Sequence, residues 1–137
     1  MILFEVVNVQ KPKINYTKTK KWLSNISKEY NKTIKNIAIV FCDDNYLLEL
    51  NKKYLNHDYF TDILTFNYSE KKNISADLII SIETVKFNAN KYKTEFKEEL
   101  RRVIIHGFLH LFGYEDYTQE QKRIMTQKEN YYLKKQI

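Results

Sequence analysis

The run Ile37-Ala38-Ile39-Val40 has no polar side chain to turn toward water. An unbroken apolar stretch rich in β-branched residues suits a strand covered on both faces, so the chain around it has to be built in layers. The whole run, Ile34 to Phe41, is expected as a strand, with others at residues 2–9, Asp62 to Phe66, and Ala76 to Ile82. Between them lie stretches with helical spacing. Residues 17–31 carry Trp22, Leu23, Ile26 and Tyr30, with Thr17 as the expected N-cap. A second helix, capped by Asp43 or Asp44, runs through Leu47, Leu48, Leu50 and Tyr54, and a third spans Thr84 to about Lys91. Thr94 is expected to open the main helix, which turns Phe96, Leu100, Val103, Ile104, Leu109 and Leu111 to the core. Thr118-Gln119-Glu120-Gln121 fits a capping box for a last helix. Asn56-His57-Asp58 is expected as a turn and Lys71-Lys72-Asn73 as a loop. The pattern predicts an α/β (α+β-like) fold: one domain over residues 1–137, a small four-stranded mixed sheet and about five helices.

Composition excludes several classes. With 43% hydrophobic and 15% aromatic residues the chain is not disordered, and two glycines and one proline leave little room for a linker. No apolar run approaches the ~20 residues of a membrane span. Met1-Ile2-Leu3-Phe4-Glu5 lacks a basic region leading into an apolar one, so no signal peptide is expected. The lone Cys42 sits in an apolar run and reads as a buried, reduced thiol, which favours a cytoplasmic location. The net charge of +6 fits a nucleic-acid partner. It fits equally a coding bias toward Lys, Asn and Ile, because the lysines are spread along the chain.

Chemistry concentrates in residues 106–116. His106 and His110 are four residues apart on the main helix, hence on one face and about 6 Å apart along the axis. Gly113 can end the helix in left-handed conformation, and Asp116 follows three residues later. Two imidazoles and one carboxylate can therefore converge on one ion at the end of a core helix. Three protein donors leave a coordination position open, as catalytic metal sites do. The bland alternative is a pair of rings capping buried polar groups. Gly107 stands where zinc peptidases of the HExxH type hold their glutamate base, so that mechanism lacks its base here. It costs about 1 kcal/mol against alanine in mid-helix, which either close backbone packing or plain tolerance would explain. An iron oxygenase triad is disfavoured, because both histidines share a helix and the carboxylate comes last.

The segment resembles the signature of the YbeY family, metal-dependent endoribonucleases of ribosomal RNA maturation, with pattern H-G-x-L-H-L-x-G-Y-x-H. His106, Gly107, Leu109, His110, Leu111, Gly113 and Tyr114 match it. Leu50-Asn51-Lys52-Lys53-Tyr54 and Thr61-Asp62-Ile63-Leu64-Thr65-Phe66 are similar to the family's LNxxYR…TDVLSF, and Ala76-Asp77-Leu78-Ile79-Ile80-Ser81 to its GDIxIS. Two positions depart: Asp116 stands where the family has its third histidine, and Leu55 where it has an arginine thought to engage substrate phosphate.

The resemblance implies a metal-dependent endoribonuclease that cleaves phosphodiester bonds of single-stranded ribosomal RNA in maturation and quality control. His106, His110 and Asp116 would be both metal ligands and catalytic residues. One divalent ion is implied, zinc first. The carboxylate in place of a third imidazole makes the centre one unit less positive, so Mn²⁺ or Fe²⁺ also suits it. RNA and the ribosome are the implied partners, with no membrane or DNA partner. Lysines around the cleft would track the RNA backbone, and attack by water or by the substrate's 2′-hydroxyl both fit. The rival reading is a ribosome-associated assembly or RNA-binding factor with a structural metal. Asp62 and Asp77 match family positions but read as ordinary turn-ordering residues. Glu99, two turns before His106, is too distant to share its ion. Arg101 and Arg102 could meet phosphates or simply face solvent. His57, Lys52 and Lys53 could stand in for the missing arginine.

Overall fold

The computed structural model describes residues 1–55 and 62–135. Its elements are β1 (Ile2–Val7), α1 (Tyr16–Glu29), β2 (Thr33–Cys42), α2 (Asp44–Leu55), β3 (Ile63–Asn67), β4 (Asn73–Ser81), α3 (Ile82–Tyr92), α4 (Phe96–His110) and α5 (Gln119–Lys134). The strands form one sheet in the order β1-β2-β4-β3, parallel across the first two pairs and antiparallel between β4 and β3. The expected mixed four-stranded sheet is therefore present. The Asn56-His57-Asp58 turn, His57 among it, and Thr61 lie outside the described residues.

The apolar run of β2 is fully buried on one face of the sheet and partly covered on the other. Ile37, Ile39 and Phe41 join the larger core with Trp22, Leu23 and Ile26 of α1, Val85 of α3, Leu100, Val103 and Ile104 of α4, and Met125 and Tyr132 of α5. The alternate residues Val40 and Cys42 turn to the opposite face, where Leu47 of α2 packs with Leu64 and Ile79. Cys42 is fully buried, its thiol points at the Ile80 carbonyl, and burial pushes its pKa up to about 12. It is a packed thiol with no thiolate character.

Several helix starts differ from expectation. Asn15, in extended conformation, caps α1 by accepting the Lys18 N–H at 2.9 Å, and Thr17 lies inside the first turn. At α2 the capping carboxylate is Asp43, which accepts the Tyr46 N–H at 2.9 Å. α3 follows β4 without a gap, because Ser81 is its N-cap and Ile82 already helical. Glu95, not Thr94, precedes α4 and makes no side-chain cap; Glu98 and Glu99 instead place negative charge in the first turn, where the helix dipole favours it. The capping box at α5 forms as expected, Thr118 and Gln121 each satisfying the other's backbone N–H.

Gly107 sets how closely α4 approaches the sheet. A Cβ there would come within 2.5 Å of Ile63 Cδ1, 3.3 Å of Thr65 Oγ1 and 3.4 Å of Leu78 Cδ2. Of the two explanations open for this glycine, close packing is the one the fold requires. The contact seats the His106 end of α4 against the edge strand β3.

Candidate metal centre

His106 and His110 point from the last turns of α4 toward the same space, with Nε2 atoms 3.2 Å apart. The helix ends and the chain passes through Gly113, at φ +96°, in the left-handed region expected of it. The return brings Asp116 Oδ2 to 3.1 Å from His106 Nε2 and 3.9 Å from His110 Nε2. The sequence-predicted trio is thus brought together, one donor atom from each lying within 4.8 Å of the others.

The far side of each ring shows why the near sides converge. His110 Nδ1 lies 2.7 Å from the Tyr114 carbonyl oxygen, which can only accept, so Nδ1 carries the hydrogen. His106 Nδ1 lies 2.6 Å from Glu129 Oε2 on α5, and an ionised carboxylate again makes the nitrogen a donor. In the neutral rings both Nε2 atoms then present lone pairs, and these face each other across 3.2 Å. Two lone pairs gain nothing from that approach, whereas a cation between them would bind both. Donors ~2.0–2.1 Å from a tetrahedral ion stand about 3.3–3.4 Å apart, and the observed edges of 3.2, 3.1 and 3.9 Å bracket that value. The residues fit a divalent metal.

Glu129 is the functional residue that local spacing did not reveal. It is 6% exposed, orients His106, and accepts from Arg102 Nη1 at 3.0 Å. Arg102 also donates to Asn130 at 2.8 Å, so its guanidinium is committed to α5. A signal for Glu129 existed in the sequence: it shares the inward stripe of the last helix with Met125 and Tyr132, and a carboxylate on an apolar stripe needs a partner. Burial by itself would pull the His106 imidazolium down, but the Glu129 hydrogen bond and the charges of Glu129, Asp116 and Asp62 outweigh it, leaving its pKa raised.

The donors open into a groove of about 440 Å³ whose other wall is β3, lined by Asp62, Ile63, Leu64, Thr65 and Asn67 on that side and by Glu115 and Tyr117 beyond Asp116. Asp62 therefore sits in the site, and burial raises its carboxyl pKa. Asp77 does not: it accepts from the Tyr68 hydroxyl at 3.2 Å and lines a different cavity. Glu99, buried with its pKa raised by desolvation, lies outside the three-donor cluster. Arg101 and the lysines of α2 are absent from the lining as well, and among the described residues no lysine or arginine lines the groove. The expectation of lysines around the cleft is not met there.

Comparison with known proteins places this geometry. The family model described as Endoribonuclease YbeY matches residues 5–136. The chain belongs to the YbeY family. Among YbeY relatives, Endoribonuclease YbeY of Karelsulcia muelleri (strain GWSS) is 49% identical over 113 residues, covering 82% of this chain and 80% of its own. Endoribonuclease YbeY of Bacteroides fragilis is 43% identical over 129 residues, covering 94% and 93%. The solution structure of TM1509 from Thermotoga maritima has a TM-score of 0.68 at 26% identity, over 97% of this chain and 87% of that one. The YbeY match spans α4, the returning loop and α5, so the three donors and Glu129 all fall within it.

Proposed function

We propose that this protein is a metal-dependent endoribonuclease that cuts single-stranded ribosomal RNA during ribosome maturation in the cytoplasm, with His106, His110 and Asp116 holding one divalent ion, zinc in the first instance. The observation that carries the reading is the convergence of three donor atoms whose far sides are already anchored, facing an open groove in a YbeY chain. A bound divalent ion there supplies Lewis-acid activation of a phosphodiester. The open side of the trio favours this over a structural metal, which the protein would enclose with a fourth ligand.

The chain's own residues have distinct tasks in this reading. Glu129 and the Tyr114 carbonyl fix ring orientation and tautomer. Asp62, whose carboxyl keeps its proton to higher pH than a free aspartate, suits proton delivery to the departing 5′-oxygen. Tyr117, 81% exposed at the groove's rim, offers a ring face for an unstacked base. Its backbone N–H is held by Gln121 Oε1 at 3.0 Å. Among the described residues no side-chain cation lines the groove, so a divalent ion held by His106, His110 and Asp116 would supply positive charge there.

Elemental analysis of purified protein, beside His106→Ala and Asp116→Ala, with each sample assayed on ribosomal RNA, tests the reading. Near-stoichiometric metal in the wild type, lost in both variants together with metal-dependent cleavage, is expected. Metal retained without Asp116 would remove it from the ligand set, and bound metal without cleavage would return the assembly-factor reading. Products ending in 2′,3′-cyclic phosphate would mark attack by the substrate's 2′-hydroxyl, and linear ends attack by water.

A further inference from the structure

The groove at the metal cluster carries three carboxylates, Asp62, Glu115 and Asp116, and no lysine or arginine among its described lining residues. A chain of net charge +6 that binds a polyanion through such a groove has to neutralise most phosphates elsewhere. The cations gather between α1 and α5. A cavity of about 210 Å³ there is lined by Lys18, Lys21 and Lys135 around Trp22 and Tyr132. A second hollow of about 300 Å³ shares Glu29 and Tyr132 with it and adds Lys128 and Tyr131. Among the described residues the only carboxylate in either lining is Glu29, which already accepts from the Tyr132 hydroxyl at 3.3 Å. None of the four lysines forms an ion pair among the described residues.

The two grooves share no lining residue but are linked through Tyr114. Lys128 Nζ stands 5.7 Å above the ring of Tyr114, and Tyr114 leads directly into Glu115 and Asp116 at the cleavage groove. The Tyr114 hydroxyl also meets that of Tyr30, 3.1 Å away, and Tyr30 in turn receives the Tyr132 hydroxyl at 3.1 Å. The loop carrying Asp116 is thus fastened to both walls of the lysine groove.

We propose that the α1–α5 groove is a second RNA site, which holds the phosphate backbone of the segment flanking the cleaved bond through Lys18, Lys21, Lys128 and Lys135. The proposal rests on the endoribonuclease reading for its ligand, but it concerns a surface that reading does not use. Division of labour follows: the acidic groove positions one or two nucleotides beside the ion, and the lysine groove supplies length-dependent, salt-sensitive affinity. Such a surface is indifferent to sequence, because it meets phosphates and not base edges.

The test is the variant Lys18→Gln/Lys21→Gln/Lys135→Gln, which removes three charges while keeping polar side chains and leaves the metal cluster untouched. Binding of a fluorescent single-stranded oligoribonucleotide of about 20 nucleotides is followed against salt in chelator-treated protein, and cleavage of the same RNA and of a trinucleotide is followed in metal-loaded protein. The expected result is a salt slope lower by about 2, at ~0.7 per lost phosphate contact. KM for the long RNA should rise roughly tenfold with kcat unchanged, and trinucleotide cleavage should be unaffected. A variant with the wild-type salt slope and the wild-type KM on long RNA would overturn the proposal. If the wild type cleaves neither RNA but binds the long one through these lysines, the second site stands and the nuclease reading falls. If trinucleotide and long RNA weaken equally in a variant with normal metal content, the lysines are not a separate site and the proposal fails.

Discussion

Glu129 shows how a residue remote in sequence controls the candidate centre. It fixes the His106 ring by a 2.6 Å hydrogen bond while Arg102 holds its other oxygen, so its geometry is set from two sides. Partners of this kind are typically worth about 10–100-fold in metal affinity. Glu129→Gln keeps the shape but loses the charge that favours the Nδ1 hydrogen, and zinc affinity measured by chelator competition should fall within that range. Circular dichroism should remain that of the folded protein. Unchanged affinity would mean that the ring needs no help from α5. The convergence of His106, His110 and Asp116 was readable in the sequence, because the two histidines are one helical turn apart and a glycine stop follows. The sequence marks Glu129 as a carboxylate on an apolar stripe but does not name its partner, which is met only when α5 packs on α4, 23 residues away from His106.

Elements were legible where local chemistry decides them, and obscure where tertiary contacts do. The five helices and four strands of the described residues follow from periodicity and turn residues. The sheet order β1-β2-β4-β3 does not, since nothing local says that β4 inserts between β2 and β3. Two cap positions failed for a related reason: Thr17 and Thr94 are good capping types, but the backbone turns helical after Asn15 and Glu95. Gly107 joins the two levels, since its missing side chain is what lets α4 lie against Ile63, Thr65 and Leu78. In Gly107→Ala the new methyl meets Ile63 Cδ1 first, the movable end of a half-buried side chain, while Leu78 is fully buried and gives less. Overpacking of about 1–3 kcal/mol is set against a helix gain of about 1 kcal/mol. A net loss of roughly 1 kcal/mol in urea unfolding is expected, with metal affinity reduced because the His106 turn shifts. The larger Gly107→Val should prevent α4 from seating. An alanine variant more stable than wild type would show that the contact is slack.

At the scale of the whole molecule, three groups on or beside α4 share one direction of titration. Burial raises the carboxyls of Asp62 and Glu99. His106 is raised despite burial, through Glu129 and its neighbouring carboxylates. A group that binds protons more tightly in the folded state adds stability that is complete below its unfolded pKa and is lost as pH rises through the folded value. The two carboxylates act from the ordinary carboxylate range upward, and His106 from its ordinary 6.5 upward. Metal-free protein should therefore lose melting temperature on going from about pH 6 to about pH 8. The metal acts in the opposite sense: it needs neutral imidazole nitrogens, so its binding releases protons and strengthens over the same interval. At a zinc concentration ~1,000 times its Kd the stabilisation is about 4 kcal/mol, and it should shrink on acidification. Melting curves of chelated and zinc-loaded protein are expected to separate progressively as pH rises. Glu129→Gln, which replaces the charged acceptor that most raises His106 by a neutral amide, should flatten the metal-free curve. Two curves that run parallel across the interval would mean that metal and proton do not compete for His106, and that the ion, if bound, is held elsewhere.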